Sequence, residues 1–232
     1  MIAVQGVWKF FGDFAALRDL RLEITRGSTT ALLGRNGAGK TTLLRMLAAL
    51  SSPSRGTITL DGAGLREPAQ RRRIGVIGHG ISIYDDLTAA ENLEFFASLY
   101  GVGAPGAKID QWLETTGLAR VRNSLARQFS RGMRQRLAIA RAFFHEPDVL
   151  LLDEPFTALD DRAAELLAGL IRQAHERGRT VLISTHQLRE ALALATDVAV
   201  LDRGRLAFHG PNTADLQTAP EDFYRRFTEA PA

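Results

Sequence analysis

The stretch TTALLGRNGAGKTTLLRML, residues 29–47, constrains this 232-residue chain more than any other. An apolar run passes into a glycine-rich loop, and a helical pattern starts directly after it. Gly34, Gly39, Lys40 and Thr41 match G-x-x-x-x-G-K-[ST], and the strand before and helix after give that spacing its meaning. Gly37 and Gly39 open backbone angles that other residues avoid, so several N–H groups can turn toward one anion. The cradle would comprise Gly34, Arg35, Asn36, Gly37, Ala38, Gly39, Lys40, Thr41 and Thr42. Lys40 would reach the terminal phosphates of a nucleotide, and Thr41 would offer its hydroxyl to Mg²⁺.

A nucleoside triphosphatase also needs a carboxylate on the metal. VLLLDEP places Asp153 at the end of an apolar strand, with Glu154 next to polarise a water against the γ-phosphate. By itself this acidic pair would be an ordinary strand end before Pro155. At a later strand end, VLISTH presents His186, which could touch the γ-phosphate or orient the same water. A second anion-reading segment, FSRGMRQR at residues 129–136, opens a basic helix with a serine and a glycine.

The rest of the chain suits one large domain with a sizeable core. The first sixty residues favour short strands, IAVQGVW, LRLEIT, TTALLG and GTITLDG, interrupted by one helix, KTTLLRMLAAL. After the buried strand in RRRIGVIGH, helical periodicity runs over about 85–145. It starts with Thr88 and Glu91 at capping-box spacing, with Leu93, Phe96 and Tyr100 on one face. Then DVLLLD, helix 161–177, TVLIS, helix 187–195, DVAVLD and RLAFHG alternate, which implies a largely parallel sheet between helices. TAPEDFYRRFTEAPA reads as a short helix and a frayed end, within an extension over about 211–232. Net charge is only +3, so there is no strong electrostatic case for nucleic acid, and RRR at 71–73 reads as a solvated edge. No cysteine is present, which excludes disulfides and Cys-ligated metals. No signal peptide and no apolar run near the ~20 residues of a bilayer span is visible, so the expected location is cytoplasmic.

Together these motifs resemble the ATP-binding subunits of ABC transporters, over nearly the whole chain. The resemblance implies a P-loop NTPase α/β core, an N-terminal antiparallel β region and a helical subdomain carrying a signature loop at FSRGM. It implies that ATPase domains pair head to tail, so that Ser130 and Gly132 contact ATP held by the glycine loop of a second subunit. It also implies Phe11 as the aromatic on adenine, Asp160 in the ALD loop as a nucleotide contact, and membrane subunits as partners. The protein would then sit at the cytoplasmic face of the membrane. Two departures stand out. The usual Leu-Ser-Gly-Gly-Gln is here Phe129-Ser130-Arg131-Gly132-Met133, which loses one flexible position and one polar contact. Most relatives have glutamine where this chain has His79, which could offer a nitrogen to the metal or water with a charge that changes near neutral pH.

IGH with YDDLTAAENL, DEPFTALD and STHQ is similar to the ATPase subunit of the heme exporter of cytochrome c maturation, although Gly80 replaces that group's common Gln. Drug, polysaccharide and lipid exporter ATPases share similar wording. A GTPase would need Asn-Lys-x-Asp, which is absent. A chromosome or repair ATPase would insert a long coiled coil, and a translation-associated ATPase would usually fuse two such domains. The expected function is MgATP-driven closure of an ATPase pair that pushes on membrane subunits through a groove around Gly80–Leu99.

Overall fold

The computed structural model describes residues 1–78, 83–157, 159–186, 188–218 and 220–228. His79 and Gly80, together with Ala158 of the ALD loop, therefore lie outside the described residues.

Alternating apolar residues build an N-terminal antiparallel sheet of β1 (Ile2–Phe11), β2 (Phe14–Ile24), β4 (Arg55–Leu60) and β5 (Ala63–Gly64), in the order β2-β1-β4-β5. The second sheet has the order β10-β9-β3-β8-β7-β6. It comprises β3 (Thr29–Leu33), β6 (Ile74–Ile77), β7 (Val149–Asp153), β8 (Thr180–Ser184), β9 (Asp197–Asp202) and β10 (Arg205–Pro211). All its neighbours pair in parallel except β10, which runs antiparallel to β9. Strands β3, β7 and β8 are buried at every residue, with polar side chains only at their ends, as a parallel sheet covered on both faces requires.

Helix α1 (Lys40–Leu47) leaves the glycine loop and packs beneath both sheets, with Leu43, Met46 and Leu47 in the core they share. It stops short of the expected Leu50. Ala49 takes a left-handed φ of 56°, and the N–H groups of Leu50 and Ser51 both close onto the Arg45 carbonyl. The four-residue α2 (Pro68–Arg71) was not foreseen. In RRR, Arg73 is no solvated edge: it pairs with both Asp61 and Asp148 at 2.7 Å.

The helical region holds α3 (Ala89–Tyr100), α4 (Gly106–Thr115) and α5 (Arg131–Phe144). The capping box is formed: Glu91 N–H donates to Thr88 Oγ1 at 3.2 Å, and Thr88 N–H donates to Glu91 Oε2 at 2.8 Å. Helix α5 ties this region to the sheet. Its Leu137, Ala140 and Phe144 pack with Leu93 and Leu113, while Ile139, Ala142 and Phe143 pack with Leu150 and Leu152. The close approach depends on Gly75 of β6, where a Cβ would lie 2.3 Å from the Ala142 carbonyl oxygen.

Helix α6 (Asp161–Glu176) covers the sheet through Leu167 and Ile171. Helix α7 (Leu188–Leu192) lies within the expected 187–195, of which Gln187 is outside the described residues, and Asn212 Nδ2 donates to the carbonyls of Leu192 and Ala195 at 2.8 Å each. Beyond β10 the chain is helical over α8 (Ala214–Thr218) and α9 (Pro220–Thr228), with Ala219 between them outside the described residues. Phe223 and Phe227 of α9 pack on Phe208 with ring centroids 5.0 and 5.1 Å away.

Candidate nucleotide site

Buried β3, an interior strand, delivers the loop Gly34–Gly39 at its C-terminal end, where α1 begins. Gly39 takes φ 105°, and a Cβ there would meet Leu17 Cδ2 at 2.6 Å and the Ala16 carbonyl oxygen at 2.9 Å. Only glycine satisfies both the angle and the space. Lys40 folds back over its own loop, donating from Nζ to the carbonyls of Gly34 at 2.6 Å and Arg35 at 3.3 Å. Its side chain is buried, and burial holds its pKa below the ordinary lysine value, opposed by the nearby carboxylates of Glu154 and Asp153.

Those carboxylates arrive from β7. Asp153 is 6% exposed, and its Oδ1 is buried without a hydrogen-bond partner. A buried, unpaired carboxylate oxygen is costly unless a cation or donor completes it. Asp153 and Thr41 line the same open cavity of about 530 Å³ as Lys40. This donor set of a hard carboxylate and a hydroxyl fits Mg²⁺.

Glu154 and His186 are brought together by register. Strands β7 and β8 pair in parallel with Asp153 opposite Ser184, so the residues that follow them emerge side by side. The Glu154 N–H donates to the Ser184 carbonyl at 2.7 Å. Glu154 sits at φ 50°, a left-handed angle costing about 1–3 kcal/mol for a non-glycine residue. Its Oε2 accepts from Thr185 Oγ1 at 3.1 Å and lies 2.9 Å from His186 Nδ1. Thr185 escaped the sequence reading, since a threonine between a strand and a histidine carries no signal of its own. His186 also faces the other side of the glycine loop, lining a cavity with Arg35 and Asn36.

Phe11 lies at the mouth of the first cavity, at the end of β1. Phe10 is engaged elsewhere, stacked on Trp8 at 5.7 Å with the Arg55 guanidinium 6.0 Å from its ring.

The second segment expected to read an anion stands apart. Ser130 caps α5, accepting from the Met133 N–H at 3.2 Å, while buried Phe129 anchors the loop. No residue of 129–133 is among the described lining of the glycine-loop cavity. Asp160 likewise caps a helix, accepting from the Ala163 N–H at 2.8 Å at the start of α6. One link between the two regions was not legible: Gln135 Nε2 of α5 donates to the Pro155 carbonyl, just after Glu154, at 3.1 Å.

A family profile described as "ABC transporter" matches residues 17–157, more than half of the chain. The chain is 41% identical over 200 residues to the ABC transporter ATP-binding protein NatA of Bacillus subtilis, covering 84% of this chain and 81% of that protein. It is 42% identical to the daunorubicin resistance ATP-binding protein DrrA3 of Streptomyces coeruleorubidus, covering 92% of this chain and 68% of that one. It is 40% identical to the sulfate/thiosulfate import ATP-binding protein CysA of Mycobacterium bovis. That match covers 96% of this chain but only 64% of CysA, so the chain spans less than two thirds of that relative. Among solved structures, an ATP-binding subunit of an ABC transporter superposes with TM-score 0.87 at 29% identity, covering 97% of this chain and 94% of that one. A dimeric ATP-binding cassette in a post-hydrolysis state with ADP and Pi superposes with TM-score 0.84 at 27% identity, covering 92% of this chain and all of that one. The chain belongs to the ABC transporter family, as an ATP-hydrolysing ATP-binding subunit.

Proposed function

We propose that this subunit holds MgATP on Gly34–Thr42, pairs head to tail with a second ATPase subunit, and drives separate transmembrane permease subunits from the cytoplasmic face of a membrane. The observation that carries the reading is Glu154, held by Thr185 and His186 beside the cavity that Lys40 and Asp153 line. Lys40 exchanges its two carbonyl partners for phosphate oxygens as ATP enters. Thr41 and Asp153 would hold Mg²⁺, which when bound neutralises charge on the phosphates. Glu154 accepts a proton from the attacking water, and His186 steadies that carboxylate or meets the γ-phosphate. Phe11 stacks on the base, and Ser130, Gly132 and Asp160 serve the nucleotide at the paired interface. His79 would offer a ring nitrogen to the metal or the water.

A groove of about 750 Å³ supports the membrane-partner reading. Leu50, Ile74, Phe96, Leu99 and Tyr100 are among its walls, and Leu50 and Leu99 are left exposed. No helix among the described residues is long and apolar enough to cross a membrane. The relatives named above differ in role, CysA being an import protein and DrrA3 a resistance protein. Export, with heme as the first cargo to test, rests on the resemblance carried by IGH, YDDLTAAENL, DEPFTALD and STHQ, and none of the relatives above is named for heme. The membrane protein that co-purifies with the chain decides the cargo.

Two variants test the site itself. Lys40→Ala should lose MgATP binding, whereas Glu154→Gln should keep it and lose turnover by about 10²-fold or more. Equilibrium binding of ATP and phosphate release check both. Unchanged hydrolysis in Lys40→Ala would overturn the assignment.

A further inference from the structure

The turn Gly12–Asp13 closes the β1–β2 hairpin, with Phe11 and Phe14 as directly opposed partners. Cross-strand partners present their side chains on one face of the sheet. Both rings line the glycine-loop cavity, and both are left in water, Phe11 58% and Phe14 62% exposed. Phe14 has no ring partner among the described residues, while Phe11 has the Lys9 ammonium 5.3 Å from its centroid. Two neighbouring exposed phenylalanines at the rim of a polar cavity mark a surface that something flat and apolar covers.

We infer that Phe14 is a second base platform, which widens the Phe11 stacking surface to the two fused rings of a purine and so selects purine over pyrimidine triphosphates. The inference rests on the nucleotide reading of the glycine-loop cavity. A pyrimidine is no wider than one phenylalanine ring and is covered by Phe11 alone. A purine extends past that ring, and the adjacent hairpin partner meets the overhang. The loop amides and Lys40 are indifferent to the base, so discrimination belongs to the aromatic pair.

The experiment compares ATP, CTP and tripolyphosphate binding, each with Mg²⁺, in the wild-type chain, Phe14→Ala and Phe14→Trp. Phe14→Ala should weaken ATP about five- to tenfold, the lower part of the range for one base on one aromatic. CTP should weaken less than twofold and tripolyphosphate should be unaffected, while Phe14→Trp keeps the purine preference. Equal weakening of ATP and CTP, or an unchanged ATP affinity, overturns the inference. Loss of tripolyphosphate binding in Phe14→Ala also overturns it, because the ring would then support the loop rather than the base. Failure of the nucleotide reading looks different: the wild-type chain would bind neither ATP nor tripolyphosphate.

Discussion

His145 shows how one side chain can couple stability to acidity. It follows the last turn of α5 and stacks on Tyr100 with ring centroids 3.7 Å apart and 4° between planes. Neither ring nitrogen has a hydrogen-bond partner among the described residues; the Ile74 and Arg141 backbone favours the cation, while the charges of Arg141 and Lys108 join burial against it. Burial dominates and lowers its pKa from 6.5 to about 4. The native state therefore keeps the ring neutral while the unfolded chain protonates it between those values. The stabilisation is complete above pH 6.5 and is lost as pH falls from there through about 4, a total of the order of 3 kcal/mol. His145→Phe retains an aromatic partner for Tyr100 and removes the titration. Its unfolding free energy should fall less steeply between pH 6.5 and 4 than that of the wild type, read by urea denaturation at a series of pH values. Parallel slopes would exclude His145 as the source. No sequence pattern announces this residue, because its environment comes from α3 and β6, far along the chain. That Lys40, Thr41 and Asp153 line one cavity was legible for the opposite reason: spacing within a few residues of a strand end fixes their positions.

At the scale of elements, boundaries were readable wherever local chemistry sets them. Thr88 and Glu91 announce α3, and the continuous apolar runs announce β3, β7 and β8. The tip of the β1–β2 hairpin was not readable, because only pairing with the opposite strand extends β1 to Phe11 and begins β2 at Phe14. Phe14 was missed with it. Helix α5 presents a different problem, since the serine expected to face a phosphate is also the serine that caps the helix. Loss of activity in Ser130→Ala would be ambiguous, for removing such a cap costs about 1 kcal/mol by itself. Aspartate separates the roles. It caps as well as serine and its charge suits a helix N-terminus, so Ser130→Asp should unfold within about 0.5 kcal/mol of the wild type. Facing a triphosphate, the same carboxylate repels. ATP-dependent pairing in a Glu154→Gln background, where slow hydrolysis lets a closed pair accumulate, should be lost in Ser130→Asp. Pairing at wild-type ATP concentrations would mean that Ser130 only caps its helix.

At the scale of the whole molecule, the two segments proposed to read phosphate do not share a described cavity: a glycine loop at the end of β3, and Ser130 at the start of α5. A single chain has no use for that separation if both serve one triphosphate, but a head-to-tail pair brings the glycine loop of each subunit against the signature loop of the other. In the proposed pair Gln135 would supply an internal link, since it joins α5 to the backbone just beyond Glu154, next to the proposed base. Complementation tests the arrangement without any image of the dimer. Homodimers of Lys40→Ala would have two damaged glycine loops, and homodimers of Ser130→Asp two damaged signature loops, so each preparation alone should be inactive. In the mixed dimer the defects segregate. One site combines the damaged glycine loop of the Lys40→Ala chain with the damaged signature loop of the Ser130→Asp chain and is dead. The other combines the intact glycine loop of the Ser130→Asp chain with the intact signature loop of the Lys40→Ala chain. Mixing the two, with time for exchange, should restore MgATP-dependent pairing and some hydrolysis, up to about half the wild-type rate if the two sites turn over independently and all dimers are mixed. Cooperativity between sites would lower the rate but not the pairing, so pairing in a Glu154→Gln background is the firmer readout. A verified mixed dimer that neither closes on ATP nor hydrolyses it would place both segments of each site on the same chain and end the trans reading.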